Sequence, residues 1–215
     1  MTTSPVSVAV LVSGGGTNLQ ALLDHLPAQG AARVTRVVAS RPDAGALERA
    51  RKARVATTVL ANPTDAREIL EALTGTDLVV LAGYLHRVPA EVVARYQMRM
   101  INIHPALLPS FGGTGMYGRR LHERVLESGA AVSGPTVHYV DEEYDHGPII
   151  AQWPVPVHKN DTPDSLAARV LEAEHRLLPA VVTALARAGV GRVPVRLFAS
   201  GSAFVAGDDL TVDLG

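Results

Sequence analysis

The chain has no cysteine, which removes disulfides, thiolate metal sites and cysteine nucleophiles together and fits a reducing, cytoplasmic setting. It also lacks a charge excess. Twenty Lys and Arg face 21 Asp and Glu, for a net charge of -1, so no basic field exists to hold nucleic acid or an anionic membrane. Any phosphate recognition has to be local. No apolar run approaches the length of a membrane span, and Met1 to Pro5 lack the basic start of a signal peptide. Repeats and low-complexity segments are missing too. What remains is ordinary for a soluble intracellular protein: 215 residues, 47% hydrophobic and 19% charged, enough for one well-filled core and too few for two.

Strand and helix patterns alternate through the first hundred residues. Val6 to Val12 is an apolar β-branched run that stops at Ser13-Gly14-Gly15-Gly16. Thr17 to Leu26 follows with a leucine stripe at positions 19, 22, 23 and 26. Strands are expected at Val34 to Ser40, Thr57 to Leu60, Asp77 to Ala82 and Arg99 to Ile103. Helices are expected at Gly45 to Ala53, Asp65 to Leu73 and Pro89 to Tyr96. That order predicts right-handed crossovers and a Rossmann-like, mostly parallel sheet with helices on both faces. Val132 to Val140 and Ile149 to Val157 read as an antiparallel extension, and Ser165 to Ala188 as one long helix bent at Pro179. Residues 1–188 are expected to form a single domain, with a glycine-loop half to about 100 and a catalytic half beyond. Residues 189–215, with β-like pieces at Val193 to Phe198 and Phe204 to Val205, read as an appendage. Ligands of open α/β sheets lie outside the carboxyl ends of the strands, so Ser13 to Asn18, Gly83 to Arg87 and Asn102 to Pro109 should meet at one cleft.

Two segments carry chemistry. In Met100-Ile101-Asn102-Ile103-His104-Pro105 an amide and an imidazole stand on alternate residues and so face one side of a strand. Forty residues later, Asp145-His146-Gly147-Pro148 offers a carboxylate in a turn. Amide, imidazole and carboxylate suffice to move a proton and stabilise an oxyanion. Each alone also suits a structural role in a loop. The glycine loop misses the dinucleotide fingerprint, because the place of its last glycine is Leu19. A single phosphomonoester on the amides of Gly16, Thr17 and Asn18 fits it, as does a plain helix-capping turn. The eight histidines show no metal-ligand spacing and no metal is expected; a serine-hydrolase elbow is missing too.

Taken together, these pieces resemble the folate-dependent phosphoribosylglycinamide (glycinamide ribonucleotide) formyltransferase family of purine biosynthesis, over about residues 6–187. The resemblance rests on Val12 to Gln20, Leu81-Ala82-Gly83-Tyr84, and Asn102-Ile103-His104-Pro105-Ala106-Leu107-Leu108-Pro109. It continues in Val137-His138-Tyr139-Val140, Asp145 with Gly147 to Ile150, and Glu172 with Glu174-His175. It implies formyl transfer from 10-formyltetrahydrofolate to the amine of glycinamide ribonucleotide. Asn102, His104 and Asp145 would be catalytic. Gly16, Thr17, Asn18 and Glu174 would hold the ribonucleotide. Arg67, Leu85, His86, Arg87, Val88 and Asn102, with Asp141, Glu142, Glu143, Tyr144 and Asp145, would meet the folate. The expected partners are these small molecules, with neither nucleic acid nor membrane, and the protein is a monomer or homodimer.

Two departures stand out. His86 occupies the place where the family often has arginine, with Arg87 next, and Ser110 to Gly118 is longer and richer in glycine than usual, which reads as a mobile cover. Rival readings are a 10-formyltetrahydrofolate deformylase and a non-catalytic nucleotide-binding domain of the same fold. The deformylase usually carries a domain ahead of the sheet, whereas strand one here starts at Val6. Methionyl-tRNA formyltransferase would need a larger C-terminal domain and a basic surface.

Overall fold

A computed structural model describes residues 4–191 and three later strands, Leu197–Ser200, Ala203–Ala206 and Leu210–Asp213. The first hundred residues form β1 (Val6–Val12), α1 (Thr17–Gln29), β2 (Ala32–Ala39), α2 (Gly45–Lys52) and β3 (Ala56–Val59). Then come α3 (Ala66–Ala72), β4 (Leu78–Leu81), α4 (Ala90–Arg95) and β5 (Met100–His104). Further on lie α5 (Gly118–Glu127), β6 (Val132–Ser133), β7 (Thr136–Tyr139), β8 (Ile149–Gln152), β9 (Val155–Pro156) and α6 (Pro163–Ala188). The three late strands, β10 to β12, pair with one another antiparallel. Residues 193–196 of the expected tail strand lie outside the described residues.

The main sheet has the order β3-β2-β1-β4-β5-β7-β8. Its first five members are parallel, and β7 pairs antiparallel with both β5 and β8. Chain order reverses between β1 and β4, which opens a crevice at their carboxyl ends. β1 is covered on both faces, as its unbroken apolar run requires. Val8, Val10 and Val12 pack with α1 and α6, while Ala9 and Leu11 pack with α3 and α4, all at 0% exposure. Full burial of each valine or leucine contributes about 1.5–3 kcal/mol. α6 starts two residues before the expected Ser165, because Thr162 and Ser165 form a capping box around Pro163.

Two expected strands are each broken in two. The run from Val132 splits at Gly134-Pro135 and the run from Ile149 splits at Trp153-Pro154. Proline cannot donate to a ladder, so β6 and β9 pair apart from the main sheet while β7 and β8 stay in it. α5 is an element that the sequence reading did not name. Its apolar signal is short, with Leu121 and Val125 at 0% exposure one turn apart among charged neighbours.

Candidate active site

The Ser13 side chain shows how strand ends are drawn together at the crevice. Its hydroxyl accepts from Ser40 after β2 at 2.7 Å and from the Leu85 amide after β4 at 3.0 Å, and its own amide bonds Gly83 O. The glycine loop that follows β1 is fixed from α2. Ala46 N donates to Gly14 O at 3.1 Å and Arg49 Nε to Gly15 O at 2.8 Å. Gly16 adopts φ 72°, where any side chain is strained, and a Cβ there would stand 2.6 Å from that of Ala46. α1 then begins without a side-chain cap and without an acidic residue in its first turn. Its first amides therefore retain their attraction for an anion.

A cavity of about 430 Å³ opens at these strand ends. Asn18 and Glu174 line it, both nearly buried, and the Asn18 amide donates to Glu174 Oε2 at 2.5 Å. Burial pushes the Glu174 carboxyl up to about 7, against the lowering effect of Asn18. Among the described residues nothing partners the buried Asn18 Oδ1.

Also lining the cavity are Asn102 and His104 from β5 and Asp145 from the turn after β7. Gly147 makes that turn possible, since a Cβ there would lie 1.9 Å from Tyr139 O. Asp145 itself sits at φ 56°. Its Oδ1 is 3.5 Å from His104 Nδ1 and 3.4 Å from Asn102 Nδ2, and its Oδ2 accepts from Gly113 N at 2.9 Å. Burial works to raise the Asp145 carboxyl, but the His138 ring, the His104 charge and the Gly113 amide outweigh it and hold the group below its ordinary range. His104 is lowered, chiefly by burial, although Asp145 pulls the other way. The two directions favour the ionised form of the carboxylate and disfavour the charged form of the imidazole beside it.

His138 is a site residue that the sequence reading left in a strand motif. Register pairs it with Asn102 across β5 and β7. Its Nδ1–H donates to Tyr139 O at 2.8 Å, so a neutral ring accepts from the Asn102 amide at Nε2, 3.1 Å away. The same Nε2 stands 3.7 Å from Asp145 Oδ1, beyond hydrogen-bond reach. An isolated histidine in an apolar strand was the signal available. Phe111 was the other omission. Its carbonyl takes the His104 Nε2 hydrogen bond at 2.9 Å. Beneath this loop, the buried Thr136 hydroxyl donates to Ala106 O at 2.7 Å and accepts from Leu108 N at 3.0 Å.

Opposite lie Leu85 to Val88, with the Asp141 to Asp145 loop facing them. Arg87 crosses between the two walls, donating to Glu142 O at 2.7 Å. Leu85 and Tyr144 are exposed at 53% and 44%, leaving apolar surface at the mouth. Arg67 is exposed on α3, and it does not line the cavity; nor do Gly16 and Thr17, which sit in the adjoining loop.

Comparisons with known proteins agree on one group. An Arabidopsis thaliana protein named phosphoribosylglycinamide formyltransferase, chloroplastic, is 45% identical over 191 residues, covering 83% of this chain and 64% of the relative. The Escherichia coli K12 phosphoribosylglycinamide formyltransferase is 38% identical, covering 83% and 86%. The crystal structure of phosphoribosylglycinamide formyltransferase from Anaplasma phagocytophilum superposes with a TM-score of 0.83 at 33% identity, over 97% and 96% of the two chains. The chain spans less than two thirds of the plant relatives, 64% and 60%. The model of the formyl transferase family matches residues 6–182. That match starts with β1, takes in every strand of the main sheet, and includes Asn18, Asn102, His104, Asp145 and Glu174: the chain belongs to the formyl transferase family.

Proposed function

We propose that this protein transfers the formyl group of 10-formyltetrahydrofolate to the amine of glycinamide ribonucleotide, a step of de novo purine biosynthesis. The observation that carries this reading is one cavity lined by Asn18 and Glu174 and also by Asn102, His104 and Asp145. A transfer between two substrates needs both brought to one place, and its volume suits small ligands. The names of the relatives support the choice of substrates.

The ribonucleotide phosphate rests on the amides of Gly16, Thr17 and Asn18, and ionised Glu174 holds the ribose or glycinamide end. The reduced folate lies between Leu85 to Val88 and the Asp141 to Asp145 loop, with its formyl group at Asn102 and His104. The amine nitrogen attacks the formyl carbon, and the carbonyl electron pair moves onto oxygen. Two N–H groups are placed to receive that oxyanion. The Asn102 N–H now spent on a long 3.4 Å contact to Asp145 is one, and the His104 Nε2–H now held by Phe111 O is the other. The oxyanion takes the place of the Phe111 carbonyl. Collapse re-forms C=O and breaks the bond to folate N10, which receives, through water and Asp145, the proton that the amine gave up. His104 keeps its own proton throughout, donating Nε2–H to the oxyanion, and the Asp145 charge beside Nδ1 opposes the burial that lowers the ring.

The test mixes the protein with both substrates and follows tetrahydrofolate release. Release that requires the ribonucleotide is expected. Equal formate production without it would replace transfer by hydrolysis, and binding without turnover would leave a non-catalytic domain.

A further inference from the structure

α2 brings a cation to the glycine loop that the proposed mechanism does not use. Arg49 is half-buried and spans from that loop to the first turn of α1, with Nε on Gly15 O at 2.8 Å and Nη1 toward Gln20 Oε1 at 3.3 Å. A guanidinium carries five N–H donors in a fixed fork, and these two contacts leave the rest of the fork available. Among the described residues no carboxylate pairs with it; neighbouring Glu48 is taken by Arg51 and Lys52. A half-buried cation held only by neutral oxygens favours an anion beside it.

Three further features meet at the same place. α1 opens without a side-chain cap or an acid in its first turn. Asn18, which carries one of those first-turn amides, is 9% exposed and lines the cavity. His175, which follows Glu174 on α6, has its imidazole lowered first by burial and then by the Arg49 charge; neither residue lines the cavity itself.

We infer that Arg49 is a ligand of the substrate phosphate, adding a charged fork to the amides of the α1 first turn, with Gln20 positioning its guanidinium. This rests on the substrate reading above. The competing view makes Arg49 only a brace for the loop, and the two differ in what happens to a substrate without the phosphate. Loss of a phosphate ligand leaves kcat/KM for the phosphate-free riboside at the wild-type value. Loss of a brace disturbs the loop that carries Asn18, so kcat/KM for that riboside falls as well, and such a fall in Arg49→Gln overturns the assignment.

The experiment compares kcat/KM for glycinamide ribonucleotide with that for the same riboside lacking its 5′-phosphate. Arg49→Gln is expected to narrow that ratio roughly 10- to 100-fold through the ribonucleotide KM, with the folate KM unmoved. Arg49→Lys, which keeps the charge and loses the fork, should fall between. A ratio unchanged from wild type in Arg49→Gln overturns the assignment. If Arg49→Gln does not fold, Gln20→Leu reads the same ratio, with a smaller narrowing expected and no narrowing counting against the inference. Inorganic phosphate gives a turnover-free readout. It should raise the melting midpoint of wild type and much less that of Arg49→Gln; an equal rise in both overturns the inference. Wild-type protein that is silent with both substrates sinks the proposed activity, while the phosphate titration still decides Arg49.

Discussion

At the Asn18 and Glu174 end of the cavity the chain leaves the first amides of α1 without a side-chain cap, whereas at the Asn102, His104 and Asp145 end it satisfies its polar groups with its own backbone. The first end is fixed by α2, whose Ala46 and Arg49 hold the glycine loop from outside. The second end is closed by the loop after β5, through the carbonyl of Phe111 and the amide of Gly113. Phe111 sits at φ 57°, an uncommon region for a side chain of that size. A preformed anion site loses little on binding, since its donors are already aimed. A catalytic cluster whose donors are occupied by a loop must exchange those bonds for bonds to the substrate. On the proposed function, the ribonucleotide end would be a permanent receptor, and the formyl end would be completed when substrate displaces the loop.

The sharpest way to break this contrast is Asp145→Asn. Asparagine tolerates the positive φ, so the change removes charge and leaves the turn. Turnover is expected to fall about 10²- to 10³-fold with ribonucleotide binding intact, read by single-turnover kinetics and calorimetry. Loss of binding as well would mean that the two ends are not separate. Gly16→Ala attacks the opposite end. The added methyl meets Ala46 at a strained φ, so a stability loss of about 1–3 kcal/mol and a raised ribonucleotide KM are predicted, by urea denaturation and initial rates.

Glu174 sharpens the contrast through pH. Its folded-state pKa, about 7, lies above the unfolded 4.5, so the stability linked to it is present below 4.5 and is lost as pH rises through 7. The loss is on the order of 3 kcal/mol and should vanish in Glu174→Gln, as followed by denaturant midpoints across that range. Over the same interval the wild-type ribonucleotide KM should fall as the carboxylate ionises. The smallest effect is expected from Arg87→Ala, which removes the cross-cavity bond to Glu142 O at an exposed position. A folate KM raised roughly 2- to 10-fold, with the ribonucleotide KM unchanged, would separate the two ends once more.

The parallel part of the fold was legible because its signals are local. β1 matched its expected span of Val6–Val12, since a β-branched run ending in glycines admits few alternatives. The expected bounds of α2, Gly45 to Ala53, missed by a single residue. The antiparallel part was less legible. Pro135 and Pro154 cut two apolar runs whose halves join different sheets, and periodicity does not report which neighbour a strand will find. Asn102 and His104 could be placed on one side of β5 by alternation. His138 could not be added to them, because its relation to Asn102 is a matter of register between β5 and β7.

The sequence alone determined the alternating order of strands and helices, the glycine loop at the end of β1, and the kinds of polar group the strand ends would present. These follow from side-chain periodicity and backbone preference, which act over a few residues. Only the tertiary structure decided that Asn18 meets Glu174 across 156 positions, and that the Phe111 carbonyl occupies His104. It also placed the Arg49 guanidinium against Gly15 O and the Gln20 side chain. Such contacts depend on how whole elements pack, and burial then sets their electrostatics, lifting the Glu174 carboxyl and lowering the His104 imidazole where their intrinsic chemistry would leave both unshifted.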